Sequence, residues 1–276
     1  MLMKSAVLSL AFTPDSRVLA SGSQEGKIKV WQINTGECLR KFSTAHTLGI
    51  TSLMFSQDGS QILSASFDHT IRLNGLKSGK ALKEFRGHTS YVNSAIFSSD
   101  GKKVVSASSD GTLKIWDLQS TECLHSVGLY KGKLAPVGAQ SPTITAVALY
   151  PKQADQVVVS NQSSIVYIVS LKGAVVQSMS LPDVVGIEAA RPGAKQHGGA
   201  AEPRSPPGFL AMTLSPRGEF VYAAAEDRRV YVFGTESGRL VTSLEGIMSD
   251  IIGMTHHPFA NMLAIYTESG LISIMK

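Results

Sequence analysis

The chain has 276 residues, of which 43% are hydrophobic and 17% are charged, and its formal net charge is +5 at pH 7. The length suits one large all-β domain, and this composition excludes a disordered chain. The Lys and Arg residues are spread along the whole sequence, unlike the clustered charge of a nucleic-acid-binding protein. Nucleic acid is therefore not an expected partner. No apolar run reaches the roughly 18 residues of a membrane span, so a membrane is not an expected partner either.

The chain is built from a repeated unit. Three segments, at 6–31, 50–74 and 92–116, align almost without gaps, and weaker copies occupy 144–169, 210–233 and 252–275. The position of Trp31 recurs at residues 74, 116, 169, 233 and 275, so the period is about 42, with longer spacings after residues 116 and 169. Self-similarity at this period predicts a repeat architecture in which each unit is one small supersecondary structure.

Each unit has the pattern of short β-strands. Apolar and small polar residues alternate along 103–108, and this strand is bounded by the turn pairs Asp100-Gly101 and Asp110-Gly111. Four such strands form a small sheet with two apolar faces, which is stable only when neighbouring sheets stack around a ring. The predicted fold class is all-β, a β-propeller with six recognisable blades at about 1–43, 44–85, 86–128, 141–182, 208–245 and 246–276.

Two insertions separate the later repeats. Residues 129–142 and 184–208 interrupt the regular spacing, and the second insertion is rich in Gly, Ala and Pro. Such a composition buries too little apolar surface to offset the entropy of ordering. Both insertions are predicted to be loops, and the second is predicted to be disordered.

The sequence contains no pattern that requires an enzyme. His88, Ser106 and Asp110 are the residue types of a nucleophilic triad, but a trio that recurs in fixed register favours a structural role. The pair His256-His257 lacks the spacing of a helical metal site, and neither a Cys-x-x-Cys pair nor a phosphate-binding loop occurs. We therefore expect no catalytic activity, no metal and no cofactor.

The two cysteines, Cys38 and Cys123, occupy the same position in two non-adjacent repeats. Matching positions in non-adjacent blades lie beyond the roughly 7 Å Cα separation that a disulfide allows. Both are predicted to be reduced thiols, as is usual inside cells.

Residues at fixed positions carry a resemblance to the WD40-repeat family. A Gly-His or Ala-His pair precedes a first strand at Gly87-His88 and Ala45-His46, and the third unit contains Trp116-Asp117. The resemblance covers nearly the whole chain. It implies a hydrogen-bonded structural tetrad of His88, Ser106, Asp110 and Trp116, and partial networks that involve His46, Asp68, Trp31 and Asp227.

Other repeats depart from the complete tetrad. Asn74 replaces the tryptophan in the second repeat, and Ser163 and Ser269 stand at the position of Asp110. These blades are predicted to be held less firmly.

Part of the sequence is similar to one branch of this family, the SMU-type splicing factors. The similarity lies in residues 60–126, with an unusual segment at 73–80, in LSPRGE at 214–219 and in THHPFANMLAIYTESG at 255–270. It implies a nuclear scaffold that holds other proteins together in pre-mRNA splicing. Members of that branch engage the RED protein through an N-terminal helical region. No such region is recognised here, so contact with RED is not expected.

Two other functions are compatible with a propeller, since a fold alone does not specify a function. Substrate receptors of cullin-type ubiquitin ligases usually have Arg or Lys one residue after the segment Trp-Asp-x, whereas Gln119 follows Leu118 here. An RNA-binding propeller is the remaining alternative, and a steep dependence of binding on salt would reveal it.

The resemblance also indicates where partners bind. Propellers of this family bind mainly through the loops that precede the turn aspartate and the first strand. The candidate partner-binding residues are Gln24, Gly49, Phe67, Tyr91, Ser109 and Asp250. Phe67 and Tyr91 belong to adjacent blades, and exposed aromatic side chains are frequent hot spots of binding.

The repeat pattern stops after the third strand of the sixth unit. Propellers of this family usually have seven blades and close with a strand from the opposite terminus. The sequence therefore predicts an incomplete seven-bladed ring, as expected for a portion of a longer protein.

Overall fold

The computed structural model describes residues 5–134, 141–181 and 206–276. Within these ranges the regular structure is entirely β, and no helix is long and apolar enough to cross a membrane. The strands form six separate antiparallel sheets, one for each repeat. The predicted all-β fold with six propeller blades is confirmed.

The blades are numbered in chain order, and each is a meander whose first strand contacts the first strand of the next blade. Blades 1 to 3 comprise β1 (Val7–Phe12), β2 (Val18–Ser23), β3 (Ile28–Gln32) and β4 (Cys38–Phe42); β5 (Ile50–Phe55), β6 (Gln61–Ser66), β7 (Ile71–Gly75) and β8 (Ala81–Phe85); β9 (Val92–Phe97), β10 (Lys103–Ser108), β11 (Thr112–Asp117), β12 (Cys123–Tyr130) and β13 (Lys133–Leu134). Blades 4 to 6 comprise β14 (Ile144–Leu149), β15 (Gln156–Asn161), β16 (Ile165–Ser170) and β17 (Val175–Ser180); β18 (Phe209–Leu214), β19 (Phe220–Ala225), β20 (Val230–Gly234) and β21 (Leu240–Leu244); β22 (Ile251–His256), β23 (Leu263–Thr267) and β24 (Ile272–Met275).

The hydrophobic core lies between the blades. Between blades 2 and 3, Leu63 and Phe85 of one sheet pack with Val92 and Trp116 of the next, and all four side chains are buried. The rings of Phe85 and Trp116 meet edge to face with their centroids 6.0 Å apart. Burial of each large apolar side chain stabilises the fold by about 1.5–3 kcal/mol. Contacts between sheets, as well as hydrogen bonds within them, therefore hold the propeller together.

A β-bulge in the first strand ties one blade to the next. The pairing of β5 with β6 skips Thr51, and the pairing of β9 with β10 skips Asn93. Thr51 Oγ1 donates to the Val92 carbonyl at 2.5 Å, and Asn93 Nδ2 donates to the Ile144 carbonyl at 2.7 Å. The extra residue of a β-bulge lies outside the regular pairing, and its side chain points in a different direction from those of its neighbours. In these two strands the polar side chain of the bulged residue therefore reaches the next blade.

One glycine is required where blades 1 and 2 meet. Gly26 has a φ of 73°, in the left-handed region. Its carbonyl accepts a hydrogen bond from the His46 N–H at 3.0 Å. A Cβ atom at this position would lie 2.3 Å from the His46 carbonyl oxygen, so any other residue would force the two blades apart at this turn.

The first predicted insertion begins as regular structure. β12 continues through Leu129 to Tyr130 and turns back into the short strand β13. Leu129 is fully buried in the core between blades 3 and 4, which anchors this hairpin. The prediction of a loop over all of 129–142 is corrected accordingly. Residues 135–140 and 182–205, which include most of the predicted second insertion at 184–208, lie outside the described residues.

Two sheet faces, one on blade 1 and one on blade 6, are left uncovered by the described residues. Leu10 and Phe12 of β1 are each 60% exposed, whereas the equivalent Leu53 and Phe55 of β5 are 8% and 5% exposed. Blade 6 has three strands, and both isoleucines of β24 are exposed. The same apolar pattern is thus buried or exposed according to whether a neighbouring blade covers it.

The loss of stability on removal of a phenylalanine ring should depend on whether a neighbouring blade covers that ring. Phe55→Ala should lower the free energy of unfolding by about 3–5 kcal/mol, because it empties a site between blades 1 and 2. The matched control Phe12→Ala should cost less than about 1 kcal/mol, because its ring is exposed. Urea unfolding followed by circular dichroism measures both losses. Equal losses would contradict the packing described here.

Candidate functional site

Four residues of blade 3 form one continuous hydrogen-bonded network. Trp116 Nε1 donates to Ser106 Oγ at 2.8 Å. Ser106 Oγ lies 2.7 Å from His88 Nε2, and His88 Nδ1 lies 2.8 Å from Asp110 Oδ2. An indole N–H only donates and a carboxylate only accepts, so the consistent assignment has Ser106 donating to Nε2 and His88 donating from Nδ1 to the carboxylate. The network ties β10 and β11 to the loop that precedes β9.

Asp110 is the anionic end of this network. Burial opposes ionisation of its carboxyl group, but hydrogen bonds from His88, from the Thr112 hydroxyl and from the Thr89 N–H outweigh this cost. They hold the pKa of Asp110 well below its usual range. The carboxylate therefore joins the loop before β9 to the turn before β11.

Blade 2 contains the same network with asparagine in place of tryptophan. His46 Nε2 lies 2.8 Å from Ser64 Oγ, and His46 Nδ1 lies 2.9 Å from Asp68 Oδ2. Asn74 is buried, and its Nδ2 donates to Ser64 Oγ at 3.4 Å. The amide thus retains the donor that the indole provides in blade 3. The prediction that blade 2 is held less firmly than blade 3 stays a prediction.

The other predicted network positions are less complete. In blade 1, Trp31 Nε1 donates to Ser21 Oγ at 2.9 Å, but Glu25 stands at the position of the aspartate. In blade 5, the Tyr231 hydroxyl donates to Asp227 Oδ2 at 2.6 Å. Burial and this carboxylate raise the pKa of Tyr231 to about 12. Asp227 therefore bonds within its own hairpin, and none of the described histidines bonds to it.

The surroundings of Ser106 are unlike those of a nucleophile. Ser106 and the side chain of His88 are closed to solvent, and their polar atoms bond to each other. A serine nucleophile needs an accessible oxygen beside donors for the oxyanion. The geometry of the network suits a structural role, in which it holds a turn against the adjoining strands. Within the described ranges, no three His, Cys, Asp or Glu side chains are grouped so that they could hold a metal ion.

A repeated backbone hydrogen bond defines one rim of the propeller. In every blade, the residue directly after the second strand donates its N–H to the carbonyl of the residue directly before the first strand. The donor and acceptor pairs, with N···O distances in Å, are Gln24 and Ala6 at 2.9, Phe67 and Gly49 at 3.0, Ser109 and Tyr91 at 2.8, Gln162 and Thr143 at 2.8, Glu226 and Gly208 at 3.1, and Glu268 and Asp250 at 2.9. We call these residues the rim. All six predicted partner-binding residues belong to it.

Three rings of blades 2 and 3 meet on this rim. Phe67 and Tyr91 contact each other edge to face with their centroids 5.0 Å apart, and His69 lies 5.7 Å from Tyr91. Tyr91 is 48% exposed, and the other two are partly exposed. We call these three residues the aromatic patch. It presents apolar ring surface together with a hydroxyl and an imidazole, a combination that suits protein interfaces.

His69 reaches Tyr91 from an unfavourable backbone conformation. Its φ is 68°, and the equivalent positions in blades 1, 3 and 6 are Gly26, Gly111 and Gly270. A residue other than glycine in this region costs about 1–3 kcal/mol and is typical of functional sites. His69 is not among the residues predicted from the sequence. The available signal was a histidine at a turn position that is glycine in three other repeats.

Blade 5 also has a non-glycine residue with positive φ that contacts the next blade. Arg228 has a φ of 64°, and its Nε donates to Asp250 Oδ1 at 2.7 Å. Asp250 and Tyr91 occupy equivalent positions, each just before a first strand. In blades 2 and 5, therefore, a left-handed turn residue contacts the rim residue of the next blade. Because the Arg228–Asp250 pair is exposed, it orients these side chains more than it stabilises the fold.

The remaining predicted rim residues frame the aromatic patch. Ser109 Oγ accepts a hydrogen bond from Asn93 Nδ2 at 3.0 Å, so its side chain is engaged within blade 3. Gly49 leaves no room for a side chain, since a Cβ atom there would lie 3.0 Å from the Phe67 ring. Gln24 is exposed beside it on blade 1. Five of the six predicted rim residues thus lie next to one another, and the sixth, Asp250, is paired with Arg228.

Ionised Asp110 should make stability depend on pH. Folding lowers its pKa, so its contribution is fully present above the unfolded-state value of about 3.9 and is lost as the pH falls towards the folded-state value. Asp110→Asn should be less stable than the wild type at pH 7, yet lose less stability between about pH 5 and pH 2. Urea midpoints across this range test the prediction, with the exposed Glu122→Gln as control. An unaltered slope in Asp110→Asn would contradict it.

Relief of the strain at His69 should stabilise the protein. His69→Gly should raise the free energy of unfolding by up to about 1 kcal/mol, because glycine adopts positive φ without steric cost. The matched control His69→Ala keeps the strained backbone, loses the ring contact with Tyr91 and should not be stabilised. Thermal and urea unfolding compare the two variants. A glycine variant less stable than the alanine variant would rule out strain at this turn.

Comparison with known proteins supports the family resemblance. The family model described as "WD domain, G-beta repeat" matches residues 3–32, 36–73 and 79–117, which cover the first three repeats. The chain is 38% identical to the WD40 repeat-containing protein smu1 of Dictyostelium discoideum over an alignment of 318 positions, gaps counted. This alignment covers 97% of the chain and 55% of smu1, so the chain spans little more than half the length of that relative.

Other relatives match a smaller part of the chain. Periodic tryptophan protein 2 of Arabidopsis thaliana is 40% identical over 76 residues, which are 28% of this chain and 8% of that protein. WD repeat and SOCS box-containing protein 1 of Homo sapiens is 43% identical over 79 residues, which are 28% of this chain and 18% of that protein. Similarity to these proteins is confined to a stretch of repeats, whereas similarity to smu1 follows nearly the whole chain. The chain is therefore a β-propeller with WD40 repeats that is similar to smu1 over nearly its whole length.

Proposed function

We propose that the chain is a non-catalytic scaffold that binds other proteins during pre-mRNA splicing in the nucleus, with the rim as its main binding surface. The aromatic patch is the observation that carries this proposal. Two blades build it jointly, and Tyr91 projects from it into solvent. Large, exposed aromatic side chains near an interface centre account for much of the binding energy of protein complexes.

The framework beneath the patch favours binding without rearrangement. The His46 and His88 networks fix the turns of blades 2 and 3, and backbone hydrogen bonds fix Phe67 and Ser109 next to Gly49 and Tyr91. A surface that is already ordered loses little conformational entropy when a partner binds. The patch therefore combines exposure with rigidity.

The charges near the rim argue against direct binding of RNA. Glu226, Asp227 and Glu268 are exposed on blades 5 and 6. Arg228, which projects from the same side, is already paired with Asp250. Affinity for nucleic acid depends on basic residues that are available for phosphates, and exposed carboxylates repel phosphates. A protein is the better match for this surface.

The similarity to smu1 supports splicing as the process. The segment that resembles SMU-type splicing factors, 60–126, contains Phe67, His69 and Tyr91. The alignment with smu1 covers 97% of the chain, whereas the alignment with the SOCS box protein covers 28%. Gln119 also departs from the Arg or Lys expected of a ubiquitin-ligase receptor. A splicing scaffold is therefore favoured over a ligase receptor.

Loss of the aromatic patch should weaken partner capture. The double variant Phe67→Ala/Tyr91→Ala should recover splicing proteins from nuclear extract at least about tenfold less well than the wild type, because it removes the two candidate anchors. Affinity purification read by quantitative mass spectrometry measures this ratio. Both side chains are at least partly exposed, so the variant should keep a cooperative thermal transition.

The control is Val241→Ala, which removes an exposed apolar side chain from the outer strand β21. This variant should recover the same proteins as the wild type. Undiminished recovery by the double variant would remove the patch from the proposal. Recovery of cullin-type ligase components in place of splicing proteins would replace the proposed process.

A further inference from the structure

The hairpin that extends blade 3 lies beside the outer strand of blade 4. β12 turns into β13 through Lys131 and Gly132, which have positive φ values of 46° and 77°, as in the two-residue turns that hairpins favour. The Gly132 N–H donates to the hydroxyl of Tyr167, a residue of β16, at 3.2 Å. The tip of the hairpin is therefore anchored on blade 4, next to the outer strand β17.

A groove between β13 and β17 has the size of a ligand-binding site. Its cavity of about 510 Å³ is lined by residues 132–134 on one side and by residues 174–178 on the other. Leu134 and Val176 are 48% and 54% exposed. Val176 is the residue that the pairing of β16 with β17 skips, so its side chain points out of the regular pattern of the strand. The groove thus presents apolar side chains from both of its walls.

Both walls of the groove are edge strands. β13 is the last strand of the blade 3 sheet, and β17 is the last strand of the blade 4 sheet. The Leu181 N–H donates to the Ser164 carbonyl. Because hydrogen-bonded pairs alternate along an antiparallel ladder, the N–H and C=O of Ser178 point away from β16. Within the described ranges β17 has no second neighbour in its sheet, so these two groups are open to another strand.

The side chains of β17 do not protect this edge. Charged side chains on an edge strand oppose its pairing with another strand. Blades 1 and 2 have Lys41 and Glu84 at the position of Ser178, whereas β17, with the sequence VVQSMS, has no charged residue. The outer strand β21 is uncharged as well, but the cavity beside it is smaller, at about 250 Å³. β17 is therefore the outer strand best suited to receive an added strand.

The charges beside the groove favour an acidic segment. Lys133 lines the groove, and Nζ of the adjacent Lys131 lies over the Tyr130 ring, 5.2 Å from its centroid. Both lysines are exposed, and neither forms an ion pair with a described residue. None of the carboxylates in the described ranges lines the groove. The carboxylates of a bound segment would therefore meet only positive charge on this lining.

We infer that this groove is a second protein-docking site, in which an extended acidic segment of a partner adds as a strand to the edge of β17. Its apolar side chains pack on Leu134 and Val176, and its carboxylates lie near Lys133. In this mode of recognition main-chain hydrogen bonds supply affinity, and alternate side chains supply selectivity. RNA is the poorer match, because it has no peptide N–H and C=O groups to pair with a strand. The groove shares no residue with the aromatic patch, so it stands or fails independently of the rim.

Binding of defined probes to the full chain tests this inference. The probe is a fluorescein-labelled eight-residue peptide of alternating Glu and Val, measured by fluorescence anisotropy. One matched probe replaces every Glu by Lys, two others carry N-methyl groups on all Glu or on all Val residues, and a further probe is oligouridine. The Glu/Val peptide should bind at least about tenfold more tightly than the Lys/Val peptide, than oligouridine and than at least one methylated peptide, because N-methylation removes donors that strand pairing needs.

Variants locate the binding on the protein. Ser178→Pro removes the outward N–H and should weaken the Glu/Val peptide at least about tenfold. Its matched control, Ser243→Pro, makes the same change at the equivalent position of β21 and should leave the affinity unchanged. Lys133→Glu should weaken binding about threefold, whereas Lys102→Glu, in the turn between β9 and β10, should not. Proline is tolerated where the N–H of an edge strand faces outward, so both proline variants should keep a cooperative thermal transition.

Three results would overturn the inference. The first is equal or tighter binding of the Lys/Val peptide or of oligouridine. The second is undiminished binding of both methylated peptides, or a loss of affinity in Ser243→Pro as large as that in Ser178→Pro. The third is no measurable binding of the Glu/Val peptide. None of these results bears on the recovery of splicing proteins by the rim, since the Phe67→Ala/Tyr91→Ala variant should bind the Glu/Val peptide as the wild type does.

Discussion

The burial of one sheet face against the next is the constraint on which the rest of this structure depends. Each blade is too small to form a core alone, so its apolar residues are buried only between neighbours. This explains why Leu53 and Leu10, at equivalent positions, differ so strongly in exposure. It also explains why the bulged residues Thr51 and Asn93 bond to the following blade. The position of each blade is thus fixed by contacts with its neighbours, without any contribution from the candidate binding residues.

Buried polar networks then determine where the turns lie. The His88 and His46 networks join a loop, a turn and two strands with side chains that water does not reach. An unpaired member would pay the desolvation cost of a buried polar group, so the turns are confined to one arrangement. The rim residues of blades 2 and 3 belong to these turns and are therefore ordered as well. Phe67 and Tyr91 meet because both belong to turns that the networks hold, and the exposed surface therefore depends on residues that no partner touches.

The sequence allowed the fold and the rim to be predicted because both follow from register. A period of about 42, the Asp-Gly turns and the position of Trp116 are local signals, and each repeat reports them independently. The contacts between repeats were harder to predict. The approach of His69 to Tyr91 depends on backbone dihedrals in one turn, and the burial of Leu129 depends on space between two blades. Residue type alone does not show that the Asn74 amide still donates to Ser64, as the indole of Trp116 donates to Ser106.

The rim hydrogen bonds use only main-chain atoms, and this has a consequence for how such a protein diversifies. The bond from Phe67 to Gly49 measures 3.0 Å and the bond from Glu268 to Asp250 measures 2.9 Å, although the side chains of these residues have nothing in common. Any residue with an N–H can donate at the positions of Phe67 and Glu268, so substitution of the donor residue keeps the hydrogen bond. Proline is the one residue excluded from the donor position. Descendants of one ancestral propeller can therefore acquire new partners through mutations that are nearly neutral for folding, and their surfaces can diverge faster than their cores.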